Sequence, residues 1–337
     1  MRINREQLLN QLESVMPGLS TREIIEQSSC FVFEDNTVHT FNDEIACSKE
    51  TDLSIKGAVQ AIPLINLLRK LQEETLEITV HKGKLLIKGK KRRAGIRLEE
   101  KILLDMETWE SPKKWSAIAE NLVDAVSMVQ HCAGNDESQF VSTCIHIHPD
   151  WIEACDNFQA GRYIIETGIK ESVLIRKDSL KHIISMNMTK FSETKSWIHF
   201  KNPDELILSC RRFVEEYPDI TSVLEVKGSP ILLPKGLKEA AEKAEIFSSE
   251  NVEDNEVKIH LENGKVKIKG EGVSGWYSEI KKAKYNGPPI TFTISPKLLT
   301  ELVERHNKCR ISKDKLKAKV GKFSYVTVLG EVKKEED

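Results

Sequence analysis

No stretch of the 337-residue sequence approaches the roughly 20 consecutive apolar residues of a transmembrane helix, and the N-terminus carries no apolar run of signal type. A soluble, cytoplasmic protein is therefore expected. Paired cysteines are lacking as well. The seven present, Cys30, Cys47, Cys132, Cys144, Cys155, Cys210 and Cys309, are odd in number and scattered, with no CxxC pair. That argues against a disulfide framework and predicts buried thiols in a reducing compartment. Catalytic signatures are missing: no GxSxG, P-loop, HExxH or dinucleotide glycine fingerprint occurs, so an enzyme is disfavoured. The nearest approach to a metal motif, His146-Ile147-His148, would put both imidazoles on one strand face. With no carboxylate or cysteine at ligand spacing, it reads as a solvated strand face. An excess of one charge is also lacking. Fifty basic side chains almost cancel fifty-two acidic ones, at a pI of about 6.5, which excludes a protein that grips nucleic acid through a global positive field.

What is present is a repeat. Apolar residues make up 39% of the chain, and its length favours two or three domains. Asn4 can cap a helix whose apolar positions are Leu8, Leu9, Leu12, Val15 and Met16, stopping at Pro17-Gly18. A second helix opens at Ile62-Pro63 with the stripe Leu64, Ile65, Leu68 and Leu71, and the runs LEITVH and KLLIKG form a hairpin through Lys82-Gly83. After the linker Glu110-Ser111-Pro112-Lys113-Lys114 the pattern restarts with a helix over Trp115–His131 bearing Ile118, Leu122, Val126 and Val129. Strands FVSTCIHI, WIEACD and RYIIETGI follow. Next come a helix over Lys177–Met188, with Leu180, Ile183 and Ile184 inward, and the hairpin SWIHFKN to ELILSCRRF. The third stretch has helices at Pro234–Ser249 and Ser295–Asn307, each followed by antiparallel strands.

The six helix starts, near Asn4, Ile62, Ser116, Lys177, Pro234 and Ser295, are 58, 54, 61, 57 and 61 residues apart. One amphipathic helix with a few strands cannot bury its apolar face alone, so two units should pair into a domain of about 110 residues. The expectation is an α+β chain of three tandem domains, 1–111, 112–226 and 227–337, each with two helices packed on antiparallel sheet. Several helices also carry lysines spaced to share a second face: Lys177 and Lys181, Lys235 and Lys238, Lys297 with Arg305 and Lys308. Glutamates interleave with them, so spacing alone is consistent with an ordinary solvated face.

Four segments carry a family resemblance: Tyr217-Pro218-Asp219 running to Val223-Leu224, Arg176-Lys177-Asp178-Ser179-Leu180, Ala154-Cys155-Asp156, and the C-terminal strands with Tyr325-Val326. In order and over essentially the whole chain they resemble the bacterial DNA polymerase III β subunit, the β sliding clamp, in a divergent or phage-encoded form. The resemblance implies a head-to-tail homodimer closing a ring of six domains around duplex DNA, held by topology rather than sequence. DNA polymerase and a clamp-loader ATPase are implied as partners, with no cofactor. A ring that slides should bind phosphate weakly, which a near-neutral protein with a modest basic lining satisfies. On that reading Lys177, Lys181, Lys235, Lys238, Lys297 and Arg305 line the hole, and Arg22 and Asn135 lie on loops like those that touch DNA in the family. The family's cleft for short linear peptides would draw on Val141, Cys155, Asn157, Phe158 and Pro218, together with Ser222, Val223, Leu316, Val326 and Val328. Two departures bear on it. The family's G-H-R after the matched aspartate becomes Asn157-Phe158-Gln159. The short apolar tail is replaced by Gly330-Glu331-Val332-Lys333-Lys334-Glu335-Glu336-Asp337. The alternative reading is a clamp-fold interaction scaffold that does not encircle DNA.

Overall fold

A computed structural model of the chain describes residues 1–250 and 255–331. The extension beyond Glu331 therefore lies outside the described residues. The architecture is α+β. Its helices are α1 (Arg5–Ser14), α2 (Ala61–Lys70), α3 (Leu122–Val129), α4 (Lys177–Leu180), α5 (Leu237–Ser248) and α6 (Pro296–Arg305). The chain forms two compact units, the first made of Met1–Ser127, Cys144–Pro149 and Glu166–Glu215, the second of Met128–Thr143, Asp150–Ile165 and the residues from Glu216 onward.

Helix starts follow local chemistry. Asn4 is extended, and its Oδ1 accepts a hydrogen bond from Gln7 N at 3.0 Å, satisfying one of the amides left unpaired at the start of α1. Leu8 and Leu12 then fall on the buried face. In α2, Pro63 occupies the first turn, where a missing N–H costs nothing, and Leu64, Ile65 and Leu68 are buried. Each such side chain contributes about 1.5–3 kcal/mol by leaving water. α1 packs on α2, and α5 on α6.

The first unit is built on a twelve-stranded antiparallel sheet. From one edge it runs Arg2–Asn4, Thr75–His81, Lys84–Lys88, Arg93–Glu99, Gly57–Gln60 and Cys30–Glu34. It continues through Thr37–Phe41, Ile45–Glu50, Ile207–Arg211, Trp197–Lys201 and Lys190–Glu193 to Ser116–Ala117. Two of its hairpins close through residue pairs at positive φ, Asp35-Asn36 and Lys82-Gly83, the backbone that matches the right-handed twist of the flanking strands. One core cluster joins Val32, Phe41, Ala46 and Ala58 to Trp109 and Trp197, whose indole Nε1 donates to Thr108 O at 3.0 Å. The irregular segment ending at Trp109 is thereby tied to the sheet.

The second unit has the antiparallel run Trp151–Cys155, Gln159–Ile164, Phe323–Val328, Lys315–Val320, Lys308–Ile311, Ser229–Leu232 and Lys284–Tyr285. It also has a four-stranded sheet ordered Gly275–Lys282, Lys265–Gly272, Val257–Glu262, Ile290–Ile294, against which α5 packs.

Three expectations are corrected. The helix placed over Trp115–His131 begins only at Leu122, because Ser116–Ala117 pairs with Lys190 and Phe191 as a strand and Ile118 N donates to Thr189 O. Phe140 to Thr143, read as strand, lie in a 3-10 segment, and the strand is Cys144–Ile147. The helix over Lys177–Met188 is one α-turn followed by a 3-10 turn, Lys181–Ile184; it buries Leu180 and Ile183 but leaves Ile184 exposed. All seven cysteines are buried and unbridged. Burial pushes the Cys30 thiol up to about 11, and the Cys47 and Cys309 thiols to about 12.

Candidate functional site

Cys155, Ala160 and Val326 stand side by side on one face of the second unit's sheet, because Cys155 pairs with Ala160 and Ala160 with Val326 across three strands. Over them lies the segment 217–226, with Ile220 and Leu224 buried in the same cluster and Tyr217, Val223 and Val226 packed against it. The segment is shaped locally by two bonds: Asp219 Oδ1 accepts from Thr221 N at 2.9 Å, and Leu224 N donates to Ile220 O at 3.0 Å. Three side chains fasten it to the sheet. The Tyr217 hydroxyl accepts from Cys155 N at 2.8 Å and donates to Cys155 Sγ at 3.4 Å. Lys317 Nζ donates to Leu224 O, and Arg162, whose Nε is paired with Glu153, donates to Thr221 Oγ1 at 3.1 Å. Burial is the main reason the Tyr217 phenol is pushed far above its ordinary range, so it stays a neutral clasp.

Beside this floor the turn Asp156 to Gln159 reverses the chain. Asp156 Oδ1 accepts from both Phe158 N and Gln159 N at 2.8 Å, an Asx turn that leaves Phe158 60% exposed. Val328 N donates to Phe158 O at 2.8 Å, which sets the 38%-exposed Val328 opposite Phe158 along the backbone. Pro218 and Ser222 are exposed on the overlying segment, and Asn157 is exposed in the turn. The structure thus brings together Cys155, Val223 and Val326 as floor, Phe158 and Val328 as exposed apolar wall, and Pro218 and Ser222 along the overlying strip. Val141, half-buried in the 3-10 segment, is not a member of the cluster. Leu316 is placed elsewhere: it pairs with Thr327, one register position from Val326, so it points to the opposite sheet face and is fully buried there. Tyr217, Arg162 and Lys317, which hold the strip, are not among the site residues expected from the sequence. The alternation Lys315, Lys317, Lys319 carries the signal for Lys317.

The basic candidates fall on helices and turns. In the first unit Arg22 and Lys181 are exposed and Lys177 is half-buried; Lys181 Nζ lies 2.6 Å from Asp178 Oδ1. In the second, Asn135, Lys235, Lys297 and Arg305 are exposed, and Lys238 bridges α5 to α6 by pairing with Glu304, with Glu242 at 3.8 Å. His146 and His148 are half-buried neighbours with ring centroids 6.3 Å apart, and no His, Cys, Asp or Glu cluster among the described residues is arranged to hold a metal.

No protein-family model and no curated sequence matches the chain. Solved structures do. A DNA polymerase III subunit beta from Pseudomonas aeruginosa superposes with a TM-score of 0.82 at 17% identity, covering 98% of this chain and 100% of the other. The DNA polymerase III beta chain from Streptococcus pneumoniae gives 0.84 at 16%, and the beta subunit from Thermotoga maritima 0.83 at 14%, each covering 98% of this chain and 99% of its own. This chain has the sliding-clamp fold. At such identities the likeness establishes architecture, and the roles of individual side chains rest on the geometry above. No helix among the described residues is long and apolar enough to cross a membrane.

Proposed function

We propose that the chain is a non-catalytic sliding clamp: a homodimer of three-domain subunits, 1–111, 112–226 and 227–337, closing around duplex DNA and tethering a cytoplasmic DNA polymerase. The observation that carries this reading is the match of the clamp fold over the whole of both chains rather than over one domain. Ring closure is supported by an open edge. The strand Gly275–Lys282 ends its sheet, and Trp276 and Ile280 on it are more than half exposed. An unpaired edge with large apolar side chains needs a partner strand. In the first unit, Arg93–Glu99 meets its neighbour Gly57–Gln60 only at Leu98 and Glu99, which leaves residues 93–97 able to accept such a strand from a second subunit.

Weak attraction for DNA suits sliding. Lys181 and Lys238, two of the proposed lining cations, are already paired with carboxylates, and each neutralised phosphate would add to an affinity that slows motion. The apolar wall of Phe158 and Val328 beside the strip 217–226 is the proposed cleft for a polymerase or clamp-loader peptide, where one or two large side chains would carry most of the binding energy. Retention on DNA tests the topology. Protein loaded by a clamp-loader ATPase onto nicked circular DNA should remain through gel filtration and be lost once the circle is linearised. Equal retention on both forms refutes encirclement.

A further inference from the structure

One face of the second unit's sheet carries positive charge of which the clamp reading uses only Lys317, the clasp on Leu224 O. Register places Lys284 opposite Leu232, Leu232 opposite Lys308, and Arg310 opposite Lys317. Lys308 and Lys319 each stand one residue beyond the Cys309–Ala318 pair and so face each other. The alternate residues Ile231, Cys309 and Ala318 point the other way and are buried. Period two therefore gathers Lys284, Lys308 and Lys319 into one cross-strand row and Arg310 and Lys317 into the next.

Like charges placed directly across a sheet destabilise it; Arg310 and Lys317 each donate to a backbone carbonyl, Gly228 O at 3.2 Å and Leu224 O, but Lys308 opposite Lys319 is a costly arrangement in the absence of an anion. Among the described residues no ion pair engages Lys284, Lys308 or Lys319. Burial lowers the proton affinity of Lys317, and Lys319 and Arg310 lower it further, with Glu225 acting in the opposite sense. These rows border a groove of about 1020 Å³ whose lining includes Val226, Pro230, Leu232 and Ala283. Among the described residues no aromatic side chain lines it. A single-stranded nucleic acid would find phosphate partners there but no ring on which to stack its bases.

We propose that this groove docks an acidic linear peptide of a partner protein, its carboxylates against Lys308, Lys319 and Arg310 and an apolar side chain on Pro230 and Leu232. The groove adjoins the Phe158 cleft, but its outer lysines lie apart from it: the strip 217–226, fastened by Lys317 to Leu224 O, ends at Val226 on the groove's lining, and Lys308 and Lys319 stand one row beyond Arg310 and Lys317.

Fluorescence anisotropy on the full chain tests this, with a labelled short peptide of alternating glutamate and leucine as probe. Its lysine–leucine counterpart and a labelled oligothymidylate serve as the other arms. The acidic peptide should bind saturably, and the lysine peptide should not. K308E/K319E should weaken binding about tenfold or more, which corresponds to about 1.4 kcal/mol. K308Q/K319Q should weaken it in the same direction, and Phe158→Ala should leave it unchanged. Both lysines are exposed, so circular dichroism should show the variants folded. Unchanged affinity in folded K308E/K319E overturns the proposal. So does tighter binding of oligothymidylate that is lost in the same variant, which would make the occupant a nucleic acid.

Discussion

The Tyr217 clasp makes the strip 217–226 testable. Tyr217→Phe keeps the ring in the cluster with Ile220 and Leu224 and removes only the hydroxyl. Cys155 N then loses its 2.8 Å acceptor in a site where Cys155 is buried. Leaving a buried amide unsatisfied costs about 1–3 kcal/mol, more than the net value of an ordinary hydrogen bond, because the group was desolvated on folding and is not resolvated. At roughly 2 kcal/mol, and about 2–4 °C per kcal/mol for a domain of this size class, the melting temperature should fall by roughly 4–8 °C. Cys155→Ala is the control. It removes the sulfur acceptor at 3.4 Å but keeps the N–H bond, and should shift the melting point less. Since Tyr217 acts by positioning the strip, the phenylalanine variant should also bind a polymerase-derived peptide more weakly while its DNA retention is unaltered. Differential scanning calorimetry and peptide titration give both numbers. A variant that melts with the wild type and binds peptide equally would refute the clasp.

Reversing Lys177 and Lys181 together to glutamate should shorten retention on nicked circular DNA and reduce polymerase stimulation without changing the circular dichroism spectrum; unchanged retention would remove both from the lining. Phe158→Ala should lower peptide affinity by about 2 kcal/mol or more if the exposed ring is an anchor, measured by titration calorimetry. His199 is buried, with Ser209 Oγ 2.7 Å from Nδ1 and Thr194 Oγ1 3.0 Å from Nε2, and burial holds it down at about 4. The unfolded chain takes up its proton first as pH falls below about 6.5, so folding should lose up to roughly 3 kcal/mol on approach to pH 4, and His199→Gln should flatten that slope in urea titrations. The raised thiols act at the other end: stability present below pH 9 should decline toward pH 11 to 12, as Cys30, Cys47 and Cys309 ionise more readily in the unfolded chain. Equal urea midpoints at pH 8 and about 10.5 would contradict this.

Periodic signals with a local stop were legible. Asn4, Pro63 and the Lys82-Gly83 turn each set an element boundary through their own backbone chemistry, and the structure has them where the sequence put them. The segment 115–121 was not, because its strand forms by pairing with Lys190 and Phe191, far along the chain, and nothing local distinguishes it from an amphipathic helix turn. The site was legible in its residue types and less so in its faces. Leu316 and Val326 are both apolar and near in space, yet one register step puts them on opposite sides of the sheet. Tyr217 falls in a segment that resembles the family, but its hydrogen bond to a backbone amide 62 residues away has no sequence signature.

The distribution of partners among the basic residues separates two kinds of surface in a chain that is almost neutral. On the helices, Lys181 is held by Asp178 and Lys238 by Glu304, so in the proposed clamp a passing phosphate would compete with a carboxylate already in place. Such an exchange would gain little and would give the proposed clamp a shallow energy profile along DNA. On the sheet, Lys308 and Lys319 face each other, with no ion pair engaging either among the described residues, so a bound carboxylate relieves repulsion as well as gaining attraction. Salt should therefore act on the two surfaces differently. Raising ionic strength should screen the exposed sheet rows and release an acidic peptide from the proposed groove, whereas the proposed ring, held by topology, should stay on its circle at the same salt.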